Sequence, residues 1–264
     1  ISKTPDFPEI SKPKLIFTID TLWFRVIVRA TVCSSKHVVR VHFDANRPLS
    51  FFITYIMKPS FTAAQIANIA EQFGTPCWAY DANYIRQQIA QLKRFDVIRF
   101  AQKSCSNIHI LRLMREQGVL VDSVSLGEVE RALVSGFDPA TPSIHAPIVF
   151  TADLLDRAAL KRVVELGIPV NCGSPQMLEQ LGQAHPSHPV WIRINPGFGH
   201  GHSRKTNTGG EQSKHGIWHE ELQQAYDIIR RYDLKLIGLH MHIGSGVDYD
   251  HLQSVCDAML EQVM

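Results

Sequence analysis

No run of 18 consecutive apolar residues occurs in this 264-residue chain, which excludes a membrane-spanning helix. Cysteine is sparse: Cys33, Cys77, Cys105, Cys172 and Cys256 stand far apart, with no CxxC pair and no regular spacing. That scatter argues against a disulfide framework or a structural zinc site and favours a reduced, cytoplasmic protein. Excess charge of one sign is missing too, at 27 Lys and Arg against 25 Asp and Glu. With 45% hydrophobic and 20% charged residues, what remains is a globular chain long enough for one large domain or two small ones.

Charge is nevertheless uneven. Residues 1–56 carry 8 Lys and Arg against 4 Asp and Glu, and the remainder carries 19 against 21. A basic arm can bind nucleic acid or an anionic surface. Here the basic residues are spread thinly through LIFTIDTLWFRVIVRATV and PLSFFITYIM, the wrong texture for an electrostatic tail, so no nucleic-acid partner is expected. Arg25 and Arg29 interrupt the apolar patches and no small-residue cleavage site follows, which excludes a secretory signal. The chain opens on Ile1, and its character changes at Met57, where MKPSFTAAQIANIAEQFGTP offers Thr62 as a helix N-cap, Ile66 and Ile69 on one face and Gly74 as a stop. Met57 is therefore expected to be the natural start, with residues 1–56 an upstream, non-native lead read through in frame. An ordinary β-rich N-terminal extension is the alternative.

Beyond Met57, apolar strands alternate with amphipathic helices. Strands are expected at Val97–Lys103, Val119–Ser125, Ile148–Thr151, Ile168–Ser174, Val190–Pro196 and Leu236–Ser245. Helices are expected at 105–117, 126–135, 153–166, 175–184 and 219–232, with another opening near Asp248. Such alternation predicts an α/β fold with a parallel sheet and right-handed crossovers. Six units are visible, two short of a closed (β/α)8 barrel.

One strand ends oddly. VIRFAQK reads as a buried strand terminating in Lys103, where an ammonium costs free energy unless it is paired, neutralised or turned to solvent. Other polar residues collect at the carboxyl ends of the expected strands: Asp122 and Ser125 in VDSVSLGE, Asn171 in VNCGS, Arg193 and Asn195 in RINPG, and His240, His242 and Ser245 in HMHIGSG. In a β/α barrel that end carries the active site.

His240 and His242 share a strand face by the two-residue period and form a possible metal pair if carboxylates complete it. The following Gly244, Ser245 and Gly246 instead suit close approach of a phosphate to the backbone. An imidazole beside such a loop, facing a lone lysine, fits a flat phosphorylated cofactor better than a metal. His240 alone reads as a hydrogen-bonded core residue. The glycine-rich stretch Gly199–Ile217 is too long for a simple connection and reads as a loop bordering a site, with His200 and His202 solvated.

FAQKSCSNIHILRLMREQG resembles the pyridoxal-phosphate attachment segment of the alanine-racemase-like barrel decarboxylases that act on ornithine, arginine and diaminopimelate. VDSVSLGE, RINPG, SKHGI and HMHIGSG follow in that family's order, and the resemblance runs from about Gly74 to the end of the chain. The NPGFGHGH, TNTGG and SKHGI elements are most similar to the bacterial branch acting on diaminopimelate, although many members have Phe where this chain has His215.

The resemblance implies a pyridoxal 5'-phosphate barrel in which Lys103 carries the cofactor covalently, His242 stacks on its ring and Ser245 binds its phosphate. Asp122, Ser125, Glu128 and Arg193 fall on family motif positions with supporting roles. It implies decarboxylation of meso-diaminopimelate to L-lysine, the last step of lysine biosynthesis, by a homodimer of the full-length protein. It also implies that this chain is an N-terminal fragment holding about six of eight barrel units, inactive alone. A glycine-rich phosphate loop, a Glu for the pyridine nitrogen, a substrate-binding Arg, and a Cys and Tyr in a C-terminal β-domain would lie beyond Met264. A decarboxylase of ornithine or arginine, a metal-dependent barrel hydrolase and a non-catalytic cofactor-binding barrel are the competing readings.

Overall fold

The computed structural model describes residues 16–19, 26–28, 61–93, 95–139, 145–199, 208–244 and 249–263. They fall into two compact units. The smaller holds Val26–Val28 and residues 61–93; the larger holds Ile16–Ile19 and the described residues from 95 onward.

In the smaller unit, β2 (Val26–Val28) pairs antiparallel with β3 (Cys77–Ala79), accompanied by α1 (Ala63–Phe73) and α2 (Ala82–Gln91). The start expected for α1 is present as a capping box. The Thr62 hydroxyl accepts from the Gln65 N–H while the Gln65 side chain accepts from the Thr62 N–H, which satisfies two otherwise orphaned donors. Both α2, capped by the Asp81 carboxylate, and the three-residue β3 escaped the sequence reading.

The larger unit is built on one parallel sheet. Its strands are β1 (Ile16–Ile19), β4 (Val97–Ala101), β5 (Leu120–Ser123), β6 (Ile148–Phe150), β7 (Val170–Cys172), β8 (Pro189–Asn195) and β10 (Lys235–Met241), neighbours in that order. The two-residue β9 (Ile217–Trp218) pairs with the end of β8. From β4 onward the order never reverses. A doubly wound sheet reverses at a switch point, so this is the singly wound (β/α) barrel arrangement the sequence predicts. All six expected strands are present, trimmed at their carboxyl ends. The segment set apart as a lead contributes β1, in parallel register with Val97–Phe100.

Helices α3 (Ile108–Glu116), α4 (Leu126–Val134), α5 (Arg157–Glu165), α6 (Pro175–Ala184), α7 (Leu222–Arg231) and α8 (Tyr249–Val263) connect or follow the strands. Caps set their starts: Asn107, Ser125, Asp156 and Ser174 each accept a backbone N–H from the first turn. Hence α3 and α5 begin later than the expected 105 and 153. A single 3-10 turn, His219–Glu221, likewise delays α7.

Strand register decides which side chains share a face. Ala101 is level with Asp122, Asp122 with Val149, Asn171 with Trp191, and Arg193 with His240. Since alternate residues point to opposite sides, Arg99, Ala101, Asp122, Val149, Asn171, Trp191, Arg193, Asn195 and His240 occupy one face. The other face holds Phe100, Val121, Ile148, Phe150, Val170, Cys172, Val190, Ile192 and Ile194, all buried. Its apolar area supplies the hydrophobic stabilisation, at roughly 25 cal/mol per Å² removed from water.

The first face is polar even at depth. Arg99 is fully buried and donates to the carbonyls of Val121 (3.1 Å) and Ala146 (2.9 Å). Its Nε lies 3.8 Å from Asp122 Oδ1, and its guanidinium carbon lies 5.5 Å from the Trp191 ring centroid. Burial lowers the basicity of Arg99, and the Asp122 charge works against that shift. A Cβ at Gly238 would come within 2.8 Å of the Trp191 ring, so glycine lets β10 pass the indole.

Candidate active site

The structure corrects the expected setting of Lys103. The strand β4 stops at Ala101, and Gln102–Ser104 form a 3-10 turn that leaves Lys103 exposed beyond the strand end. Gln102 anchors the turn by donating to the buried Ser123 hydroxyl at 2.8 Å. The ammonium therefore escapes the burial cost inferred from the sequence, because a turn intervenes where an unbroken strand was expected.

Two of the residues carried over by resemblance meet at the start of α4. Ser125 caps the helix, its hydroxyl accepting from Glu128 N–H at 3.3 Å, while Glu128 Oε2 accepts from Val124 N–H at 2.7 Å. Ser125 thus has a complete structural role as a cap. Burial raises the pKa of Glu128, opposed by the Val124 N–H and by the positive charges of Arg131 and Lys103. Glu128 therefore lies within electrostatic reach of Lys103. Asp122, only 5% exposed, sits one strand away over Arg99.

On the far strands, His242 follows β10 and is half-buried. Its Nδ1 lies 2.6 Å from the Thr208 hydroxyl, which also donates to the His242 carbonyl at 3.1 Å. The two contacts of this one hydroxyl, to the ring and to the backbone of the same residue, set the orientation of the imidazole. His240, level with Arg193, is half-buried. Ser245, His200 and His202 lie outside the described residues. No group of three or more His, Cys, Asp or Glu placed to hold a metal occurs among the described residues.

Sequence reasoning missed a set of contacts that organise the loop after β8. Asn195 donates to Gly210 O (3.0 Å) and accepts from Gly210 N–H (2.9 Å) and Gly197 N–H (3.2 Å). Gly216, with φ of +82°, runs so close to β8 that a Cβ would meet Asn195 N at 2.9 Å, a site open only to glycine. Asp153, just past β6, reaches both Arg193 (3.4 Å) and His215 (2.7 Å). The one available signal was the place of Asp153 past a strand end, in the row that holds Asp122 and Arg193.

Buried Thr151 Oγ1 and Asn171 Oδ1 have no hydrogen-bond partner among the described residues. These strand ends thus bring together an amine (Lys103), an imidazole (His242) and a guanidinium (Arg193), groups suited to a small anionic ligand.

That inventory belongs to a known class. The model of the "Pyridoxal-dependent decarboxylase, pyridoxal binding domain" family matches residues 82–263, and the chain belongs to this family. Within it, the chain is 67% identical over 199 residues to the diaminopimelate decarboxylase of Streptomyces coelicolor, covering 75% of this chain and 45% of that protein. It is 63% identical over 217 residues to the diaminopimelate decarboxylase of Escherichia coli K12, covering 82% and 50% respectively. A crystal structure of a diaminopimelate decarboxylase superposes with a TM-score of 0.72 at 65% identity, covering 76% of this chain and 48% of that one. The chain spans about half the length of the curated relatives it matches.

The residues present fit the family's cofactor: an amine beyond a strand end, an imidazole held by Thr208, a partly buried guanidinium and, among the described residues, buried polar atoms without a partner at neighbouring strand ends.

Proposed function

We propose that this chain forms the pyridoxal-phosphate-binding part of a diaminopimelate decarboxylase, which releases CO2 from meso-diaminopimelate and yields L-lysine. The observation that carries the reading is the gathering of Lys103, Glu128, Arg193 and His242 at the strand ends of a singly wound sheet, supported by 63–67% identity to diaminopimelate decarboxylases. When bound, pyridoxal phosphate supplies the electron sink that accepts the pair left by the departing carboxylate.

The chain's own residues would hold that chemistry in place. Lys103, exposed on a turn outside the sheet, would present its amine to a carbonyl carbon. His242, its ring fixed by Thr208, would lie against the flat face of the cofactor, and Ser245 would hold its phosphate. The positive charge of Lys103 acts on Glu128, whose carboxylate would in turn help to balance that ammonium. Arg193, with a side chain only 12% exposed, would meet a carboxylate or phosphate at the mouth of the polar face. Asp122 would keep that mouth from accumulating positive charge.

A homodimer and a cytoplasmic location belong to the same proposal. The four described cysteines, Cys77, Cys105, Cys172 and Cys256, are free thiols, in keeping with a reducing compartment.

The deciding assay extends the chain through its downstream coding sequence and measures CO2 release from meso-diaminopimelate, ornithine and arginine. Turnover of meso-diaminopimelate is expected; turnover of ornithine or arginine alone would overturn the substrate assignment. Deleting residues 1–56 from the same protein is expected to leave cofactor binding and solubility unchanged, as the lead carries none of the site residues. Loss of either would show that β1 is a required cover for the edge of β4.

A further inference from the structure

Arg193 and His215 come from different parts of the unit, one from β8 and the other from the segment leading into β9, yet they share one carboxylate. Asp153 Oδ1 lies 3.4 Å from Arg193 Nη1, and Asp153 Oδ2 lies 2.7 Å from His215 Nδ1. The guanidinium and imidazole side chains are 12% and 23% exposed, whereas the Asp153 side chain is 44% exposed. The anion is thus the solvated partner of two half-desolvated groups.

The backbone around His215 is held tightly enough for this contact to be specific. Its N–H donates to Ser213 Oγ at 3.2 Å, and the Ser213 hydroxyl donates to the Thr208 carbonyl at 2.9 Å. Next in the chain, Gly216 is pressed against β8, and Ile217 is in register with Ile194. His215 is therefore fixed on both sides, and only its imidazole orientation is left for Asp153 to set.

We propose that Asp153 is a positioning residue. Its carboxylate holds the Arg193 guanidinium at the mouth of the polar face and pins the SKHGI segment to the end of β6 through His215. What Arg193 grips rests on the decarboxylase reading; the shared carboxylate does not, so the experiment reads the imidazole directly. The charged and titratable groups acting on His215 are Asp153 from the β6 side, Arg193 from β8, and Lys214 beside it in the chain. Burial pushes His215 below the usual histidine range, Asp153 opposes this, and Arg193 and Lys214 add to it.

The test is an imidazole 1H–15N titration of the isotope-labelled chain, wild type beside Asp153→Asn and Arg193→Gln. The His215 midpoint is expected to move to lower pH in D153N, to move to higher pH in R193Q, and to stay near wild type in Asp153→Glu. An unchanged midpoint in D153N would overturn the proposal. A second readout needs no variant. Above its midpoint, neutral His215 in the wild-type chain is expected as the Nδ1–H tautomer, because 2.7 Å from a carboxylate oxygen a proton on Nδ1 is favoured over a lone pair even off the line of a hydrogen bond, whereas free imidazole side chains favour Nε2–H. Finding Nε2–H at His215 would equally overturn it.

Discussion

Replacing Lys103 with alanine is expected to abolish covalent retention of pyridoxal phosphate. After incubation with the cofactor and borohydride reduction, the wild-type protein should carry one stable label, mapped by peptide mass to Lys103, and the variant none. The expectation follows from placement. Lys103 lies on a turn that immediately extends a strand of the polar face, within electrostatic reach of Glu128. An amine that must attack a carbonyl has to be presented to it, which an exposed place on a turn beyond the strand end allows. Lys103→Arg tests the chemistry separately from the charge, since guanidinium keeps the cation but is no nucleophile. It should also fail to label. A label mapped to any other lysine would overturn the assignment.

The largest stability effect is expected at Arg99. Its guanidinium is fully buried, bonded to two backbone carbonyls, set against Asp122 and stacked near Trp191. Arg99→Met keeps most of the apolar stem but strips the buried Asp122 carboxylate of that counter-charge. Breaking a buried pair from one side costs about 3–5 kcal/mol, which a urea unfolding midpoint would register. Arg99→Lys should recover only part of this loss, because a point charge cannot bond both carbonyls and still face Asp122. The double variant Arg99→Met with Asp122→Asn should be more stable than Arg99→Met alone, since no buried charge is then left over. A loss below about 1 kcal/mol in Arg99→Met, the scale of an exposed pair, would show that the guanidinium contributes nothing beyond a surface ion pair.

The two expectations differ in how they could be reached. Lys103 was conspicuous because a lysine ended an apolar run, and the motif around it pointed to a cofactor. Arg99 sits four residues earlier in the same run and drew no attention. A single arginine inside a strand reads as an exposed position until the register of β4, β5 and β6 turns it inward. The same holds for Asp153, Thr208 and Asn195, whose contacts to His215, His242 and Gly210 span 62, 34 and 15 positions along the chain and are made only once the sheet is wound. Short elements were lost for a different reason. The strand β9 has two residues, too few for any alternation to register, and β3, Cys77–Ala79, lacks the β-branched apolar residues that marked the equally short β6 and β7.

Local chemistry determined much by itself. Periodicity set the six main strands and their helices, since a two-residue or 3.6-residue apolar repeat has few ways to bury its face. Side-chain caps set the helix starts, because Asn107, Ser125, Asp156 and Ser174 satisfy backbone donors a few residues away. The order of the motifs placed the chain in its family. Tertiary structure decided what these local rules leave open: that Gln102 ties the Lys103 turn to Ser123 on the next strand, that Arg99 faces inward, and that one carboxylate, Asp153, serves both Arg193 and His215. The reason is one of range. Hydrogen-bonded turns and caps close within a few residues and are written in neighbouring letters, whereas the pairing of charges across strands depends on register and burial, which exist only once the sheet has formed.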